Sequence, residues 1–324
     1  MGRHLLLVNL GTPEAATAPA VRAFLAEFLS DPAVVDLPRW IWAPILRGIV
    51  LRGRPARVAR QYATIWTGAG SPLRVATERI VAELRARADG RFGVGAAYRY
   101  GEPSLDTAMR RLAQEGAEHV IVVPLFPQRT DATTGTAFRR AREAAARAGI
   151  ADRVVERPVP PADAGYVAAM AARWRESLAR APRPPEHLVV SFHGIPVRYD
   201  RREGHRYVRD CEATMRALLE AIAWPAARAT LAFQSKFGPE RWLEPDTAGV
   251  LAALPRQGVR TVAVITPGFV TDGLETLEEI AIRGAATFRA SGGAEFAAIP
   301  CLNDSTEGMG LIETLIRREL SGWL

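Results

Sequence analysis

The chain has 324 residues, 48% of them hydrophobic and 24% charged, a globular composition with room for two domains of ordinary size. Two cysteines, Cys211 and Cys301, exclude a disulfide scaffold and a multi-cysteine zinc or iron–sulfur site built by this chain alone. The net charge of +7 is carried by arginine and one lysine, Lys236, spread without any nucleic-acid-binding motif, so no nucleic acid is expected as a partner. No apolar run reaches the roughly 18 residues of a bilayer span. The chain opens straight into Leu5-Leu6-Leu7-Val8, with no basic flank and cleavage site, and a cytoplasmic location is expected.

Short β-rich runs alternate with longer Ala/Arg/Leu stretches of helical character, the pattern of an α/β protein with parallel sheets. Strands are predicted at residues 4–10, 94–100, 119–126 and 153–159, and a second set at 187–192, 230–234, 261–267 and 295–302. The expected fold is therefore two similar Rossmann-like domains, each a four-stranded parallel sheet flanked by helices. The first covers residues 1–165 and the second 166–304, with a C-terminal helix over 305–324 folding back onto the first. The first half carries an insertion over about 18–75. It opens with a predicted helix presenting Val21, Phe24, Leu25 and Phe28 on one side. Trp40, Ile41, Trp42, Ile45 and Leu46 follow, and then a run rich in arginine that includes Arg54 and Arg57. Aromatic and aliphatic groups beside arginines suit a segment resting on a bilayer surface, and an insertion packed on its own core is the plainer alternative.

Ligands of open α/β sheets sit beyond the carboxyl ends of the strands. No dinucleotide or phosphate-loop glycine motif occurs there, so nucleotide cofactors lack their usual signature. Three strand ends carry polar groups instead. His193, in Ser191-Phe192-His193-Gly194-Ile195-Pro196, either accepts a proton or binds a transition metal, or is a core histidine satisfied by a carbonyl. Asp272, Glu275 and Glu279 recur at i, i+3 and i+7, so they are expected on one helix face. The plainer reading makes Asp272 the N-cap and Glu275 its capping-box partner. The block from Phe233 to Pro245 supplies Ser235, Lys236, Phe237 and Trp242, which suit a flat apolar ligand with anionic edges or an ordinary packed turn. His193, Ser235 and Glu275 all follow strands of one half and are expected to converge.

With these residues in place, the sequence resembles the ferrochelatase family, the terminal enzymes of haem synthesis, over nearly its whole length. The likeness rests on Val8-Asn9-Leu10-Gly11-Thr12-Pro13, Arg60-Gln61-Tyr62, Gly70-Ser71-Pro72-Leu73 and Tyr98-Arg99-Tyr100 in the first half. It continues through Pro127-Gln128, Thr133-Thr134-Gly135, the His193 motif, Gln234-Ser235-Lys236-Phe237-Gly238-Pro239 with Trp242-Leu243, and Pro267-Gly268-Phe269 to Leu274-Glu275-Thr276-Leu277.

The resemblance implies a lyase that inserts Fe²⁺ into protoporphyrin IX, giving haem b and two protons, with the macrocycle in the cleft between the domains. It implies His193 and Glu275 as the metal-binding and catalytic pair, with Asp272 and Glu279 on a proton or metal path. Leu10, Arg99, Ser235, Trp242 and Phe269 match pocket-lining positions, and Arg54 and Arg57 are expected near the propionates from position alone. The insertion matches a pocket lip that touches the membrane's inner face around residues 40–51. No tightly bound cofactor is implied; iron is a substrate, and without a cysteine-bearing extension no iron–sulfur cluster is expected. A monomer is favoured. The chain departs from the family pattern at Gly273, where Cys or His is common, and at Arg129, where Tyr is common. Leu10 stands where users of coproporphyrin tend to have Tyr, which favours protoporphyrin. The competing readings are a coproporphyrin III ferrochelatase, a chelatase loading another metal into a corrin precursor, and a non-catalytic porphyrin or haem carrier on the same scaffold.

Overall fold

The computed structural model describes residues 2–306 and 308–310, so most of the helix expected over 305–324 lies outside the described residues. The chain divides into two compact units. Among the described residues, one holds the chain before Pro127 together with Thr130–Val159, and the other holds Pro127–Arg129 and the chain from Pro160 to Gly310.

In the first unit, β1 (Arg3–Asn9), β2 (Gly93–Tyr98), β3 (His119–Pro124) and β4 (Val154–Glu156) form a parallel sheet in the order β2-β1-β3-β4. Helices cover both faces, so its central strands are apolar without interruption, and Leu5, Leu6, Leu7 and Val8 are all buried. The two-residue alternation of β1 and β3 sends Leu6, Val8, Val120 and Val122 to one face. There they pack with Leu105 and Met109 of the helix Leu105–Gln114 and with Phe138 and Ala141 of the helix Thr136–Arg147. Where the chain leaves β1, Gly11 has φ +108°, and a Cβ there would lie 1.8 Å from the Tyr100 carbonyl oxygen, so only glycine fits.

The insertion of this unit begins with the helix Ala18–Leu29, which buries Val21, Leu25 and Leu29 and stacks Phe24 on Phe28 with ring centroids 6.1 Å apart. The helix Arg39–Ile45 buries none of its residues; Trp40 is 79% exposed, and Ile49 in the following turn is 70% exposed. Trp42 by contrast is anchored, its Nε1–H donating to the Leu29 carbonyl at 2.6 Å. Among the described residues no helix is long and apolar enough to cross a membrane.

The second unit repeats the plan. Strands β5 (His187–His193), β6 (Ala229–Gln234), β7 (Thr261–Ile265) and β8 (Glu295–Ala298) form a parallel sheet in the order β6-β5-β7-β8. Val189, Ala232, Val262 and Val264 pack on one face against Leu251, Ile280 and Phe288. All eight predicted strands are present, and several stop short of the predicted ends. β7 ends at Ile265 and β8 at Ala298, because the buried residues that follow continue in loops. Chain order reverses across the sheet between β5 and β7, which makes the carboxyl ends of those strands the topological switch point.

Candidate active site

His193 is the last residue of β5, at that switch point, and is half-buried. Its Nδ1 lies 2.7 Å from the Gly194 carbonyl oxygen. A carbonyl only accepts, so Nδ1 carries the hydrogen and the neutral ring keeps its lone pair on Nε2. No described residue hydrogen-bonds Nε2. The backbone beneath is fixed, since Tyr207 donates its hydroxyl to the His193 carbonyl at 2.6 Å. Gly194 is required by close approach: a Cβ there would stand 2.7 Å from the Gln234 carbonyl oxygen and 3.2 Å from the Trp242 indole. The loops after β5 and β6 are tied together here, with Leu243 N–H donating to the Ile195 carbonyl and Val197 N–H to that of Arg241. Trp242 is thereby placed beside the residue that follows His193, and the half-buried Phe269 ring stands 6.4 Å from the imidazole.

Glu275 follows β7. The helix that carries it differs from the expected one in two ways. It starts at Leu274 and winds as a π-helix to Gly284, a rare geometry that favours functional sites. Its cap is Gly273, whose N–H donates to Thr276 Oγ1 at 3.0 Å, so the expected capping box of Asp272 and Glu275 does not form. Glu275 is free of capping duty, and its carboxyl feels the charge of His193. Burial pushes its carboxyl above the ordinary glutamate range, the attraction of His193 and its own backbone amide pull the other way, and Glu279 and Glu278 push it further up. His193 and Glu275 therefore share one electrostatic environment.

The other acidic residues are occupied. Asp272 precedes the helix and does not share the face of Glu275. Its carboxylate accepts from Thr276 Oγ1 at 2.8 Å, Asn303 Nδ2 at 2.7 Å and the Cys301 N–H at 3.3 Å, and is buried. Glu279 accepts from Ser235 twice, from its N–H at 2.8 Å and from its Oγ at 2.5 Å. Ser235, expected to line a pocket, spends both donors on that carboxylate from a left-handed backbone with φ +66°. Glu278 is paired with Arg283 at 2.9 Å.

In the first unit, the Arg99 guanidinium pairs with Asp31, donates from Nε to Thr136 Oγ1 at 2.9 Å and lies over the Tyr100 ring. Tyr100 and Thr136 also donate to Asp31, at 2.9 and 2.8 Å. Arg99 is thus held by a buried carboxylate 68 residues away, to which no local pattern in the sequence connects it. Leu10 follows β1 and is half-buried, with its carbonyl accepting from Tyr100 N–H. Arg54 is half-buried in the helix Leu51–Ile65 and Arg57 is exposed; burial and the neighbouring Arg57 charge both lower the proton affinity of Arg54. Arg129 is exposed, with its N–H near Asp210.

Among the described residues no three His, Cys, Asp or Glu side chains cluster as metal ligands. A metal at His193 and Glu275 would hold two protein donors, fewer than the four of a resident structural site.

A sequence model of the ferrochelatase family matches residues 3–320. A ferrochelatase from Chelativorans sp. (strain BNC1) is 43% identical over 323 residues, covering 98% of this chain and 91% of the relative. Another, from Rhizobium meliloti (strain 1021), is 44% identical over 327 residues, covering 99% and 95%. Among solved structures, the sirohydrochlorin chelatase SirB from Bacillus subtilis subspecies spizizenii, in complex with cobalt, aligns with a TM-score of 0.57 at 13% identity, covering 99% of this chain and 98% of its own. CbiX, described as the terminal enzyme for biosynthesis of siroheme in denitrifying bacteria, aligns with a TM-score of 0.53 at 16% identity, covering 98% and 100%. At these identities the likeness is one of fold.

Proposed function

The chain belongs to the ferrochelatase family of metal-inserting lyases, and we propose that it inserts Fe²⁺ into protoporphyrin IX with His193 and Glu275 as its catalytic pair. Insertion replaces two pyrrole N–H protons by one Fe²⁺, so two protons need acceptors near the ring nitrogens. His193 takes the first on Nε2. One observation carries this assignment: Nδ1 is committed to the Gly194 carbonyl, which leaves a single basic nitrogen, beside a carboxyl made more basic by burial. Glu275 takes the second proton. The same nitrogen and oxygen donors suit borderline Fe²⁺ before it passes to the ring, and two donors release it readily. Phe269 and Trp242 supply apolar surface beside the imidazole for a flat macrocycle.

Leu10 supports protoporphyrin over coproporphyrin as the porphyrin. The exposed Trp40 and Ile49, beside Arg39, Arg47 and Arg52, support peripheral contact with an anionic membrane surface, where an apolar porphyrin partitions. The residues present do not fit an iron–sulfur cluster: the sequence holds two cysteines, both buried, and burial pushes both thiols up.

The test is metal insertion followed by absorbance, with Fe²⁺ or Zn²⁺ and each of the two porphyrins. Wild-type enzyme is expected to turn over protoporphyrin faster. His193→Ala should lose on the order of a hundredfold or more in kcat, while porphyrin binding, read by fluorescence quenching, stays within about threefold. Full turnover by His193→Ala refutes the assignment.

A further inference from the structure

We infer that Gln234 is the positioning residue that holds Glu275 in register with His193, an inference that rests on the chelatase reading above. Gln234 closes β6 directly opposite His193 in the parallel ladder. Its two polar ends act on the two halves of the catalytic pair. The backbone carbonyl accepts the Gly194 N–H at 2.7 Å, on the residue whose own carbonyl fixes the imidazole. The side-chain Nε2 donates to the Glu275 carbonyl at 2.9 Å.

The amide has one possible orientation. The Glu275 carbonyl only accepts, so it faces the NH₂ group, and Oε1 faces Ser191, whose hydroxyl donates to it at 2.7 Å. Ser191 meets Thr247 Oγ1 at 2.7 Å behind it. Gln234, Ser191 and Thr247 are 3%, 0% and 2% exposed, so water does not substitute for any of these bonds. The next residue adds a second tether, Ser235 gripping the Glu279 carboxylate with two donors. Residues 275 and 279 lie one turn apart on the π-helix, so the two tethers together fix both its rotation and its translation against β6. A π-helix is a poor self-supporting structure, and these bonds from outside it define where the Glu275 side chain starts. Gln234 itself is spent on Ser191, Gly194 and Glu275, and it acts on the reaction through them.

The experiment compares Gln234→Met and Ser191→Ala with wild type and His193→Ala in steady-state insertion of Zn²⁺ and Fe²⁺ into protoporphyrin IX. Rates are normalised to folded protein by circular dichroism. Gln234→Met keeps the volume and the backbone carbonyl and deletes both amide bonds. Its kcat should fall about 10- to 100-fold, while KM for each substrate stays within about threefold, the signature of a misplaced group in a site that still binds. Ser191→Ala removes only the bond that orients the amide and should lower kcat about 3- to 10-fold with the same unchanged KM. Should Gln234→Met fail to fold, Ser191→Ala decides alone. A kcat within twofold of wild type in the folded variants, or a loss confined to KM, overturns the inference, provided that His193→Ala has abolished insertion. Insertion that survives His193→Ala overturns instead the catalytic pair on which the inference rests, and a wild-type protein that inserts neither metal overturns the chelatase reading.

Discussion

Asp272 offers a direct way to separate a proton path from a buried anchor. Its carboxylate takes three hydrogen bonds from Thr276, Asn303 and the Cys301 amide in a site 8% exposed. Hydrogen bonds to a charged group contribute about 1.5–3 kcal/mol each, and the bond at 3.3 Å falls at or below the bottom of that range. Asp272→Ala strands all three donors and should cost about 3–5 kcal/mol. Asp272→Asn keeps an oxygen for Thr276 and Cys301 but turns an NH₂ group toward the NH₂ group of Asn303. Asn303 is unable to flip in response, because its Oδ1 already accepts the Asp272 N–H at 2.8 Å. The cost should be about 1–3 kcal/mol, at roughly 2–4 °C of Tm per kcal/mol for a unit of this size. Urea unfolding followed by tryptophan fluorescence measures the loss, and insertion rates at saturating substrate measure kcat. The expected result is lower stability with kcat within about twofold in the folded variants. Asp272→Asn that keeps its Tm and loses tenfold or more in kcat would refute this reasoning and return the carboxylate to the reaction path.

Glu275→Gln should abolish insertion yet raise Tm near neutral pH. A carboxyl whose proton affinity rises on folding stabilises fully below its unfolded value, and that contribution is lost as pH rises through the higher native value, so the gain should shrink in acid; a Tm difference independent of pH contradicts it. Asp31 has the opposite sign. Burial alone would raise its carboxyl, but the Ala33 amide, Thr136, Arg99 and Tyr100 outweigh it and hold it low, so its contribution is present above the unfolded value and is lost as pH falls. Asp31→Ala should cost about 3–5 kcal/mol in urea unfolding because it leaves the largely buried Arg99 charge unpaired, and a loss under 1 kcal/mol would show that the network is dispensable. Replacing Trp40 and Ile49 together with Ala should weaken co-sedimentation with anionic vesicles about tenfold or more; unchanged binding would move the membrane contact elsewhere.

The strands were legible because helices bury both faces of each sheet, which writes them as unbroken apolar runs. Their ends were not, because Leu125 is as buried as β3 before it, and Ile299 and Leu302 are more buried than the half-buried β8 they follow. His193 could be found because an imidazole that closes an apolar run before Gly and Pro has few local uses. The carboxylates at 272, 275 and 279 looked equivalent in sequence, since an α-helical period aligns them. What distinguishes them lies far along the chain: Asn303 and Cys301 for Asp272, Ser235 for Glu279 and His193 for Glu275. The π-helical winding was hidden as well, because periodicity arguments presume 3.6 residues per turn. Gln234 opens the motif at residues 234–239, and its only local signal is an amide at the end of a strand. Asp31 lies in the insertion with nothing nearby in sequence to mark Arg99, Tyr100 and Thr136 as its partners.

On the proposed chelatase reading, the bond from Nδ1 to the Gly194 oxygen also imposes an order of events. With one ring nitrogen occupied by the Gly194 carbonyl, the imidazole has a single vacancy, which either H⁺ or a cation fills, never the two at once. Acid and iron become rivals for the same lone pair, so at low pH more metal should be needed to reach a given rate. The cation also has to have moved on before that nitrogen collects anything from the macrocycle.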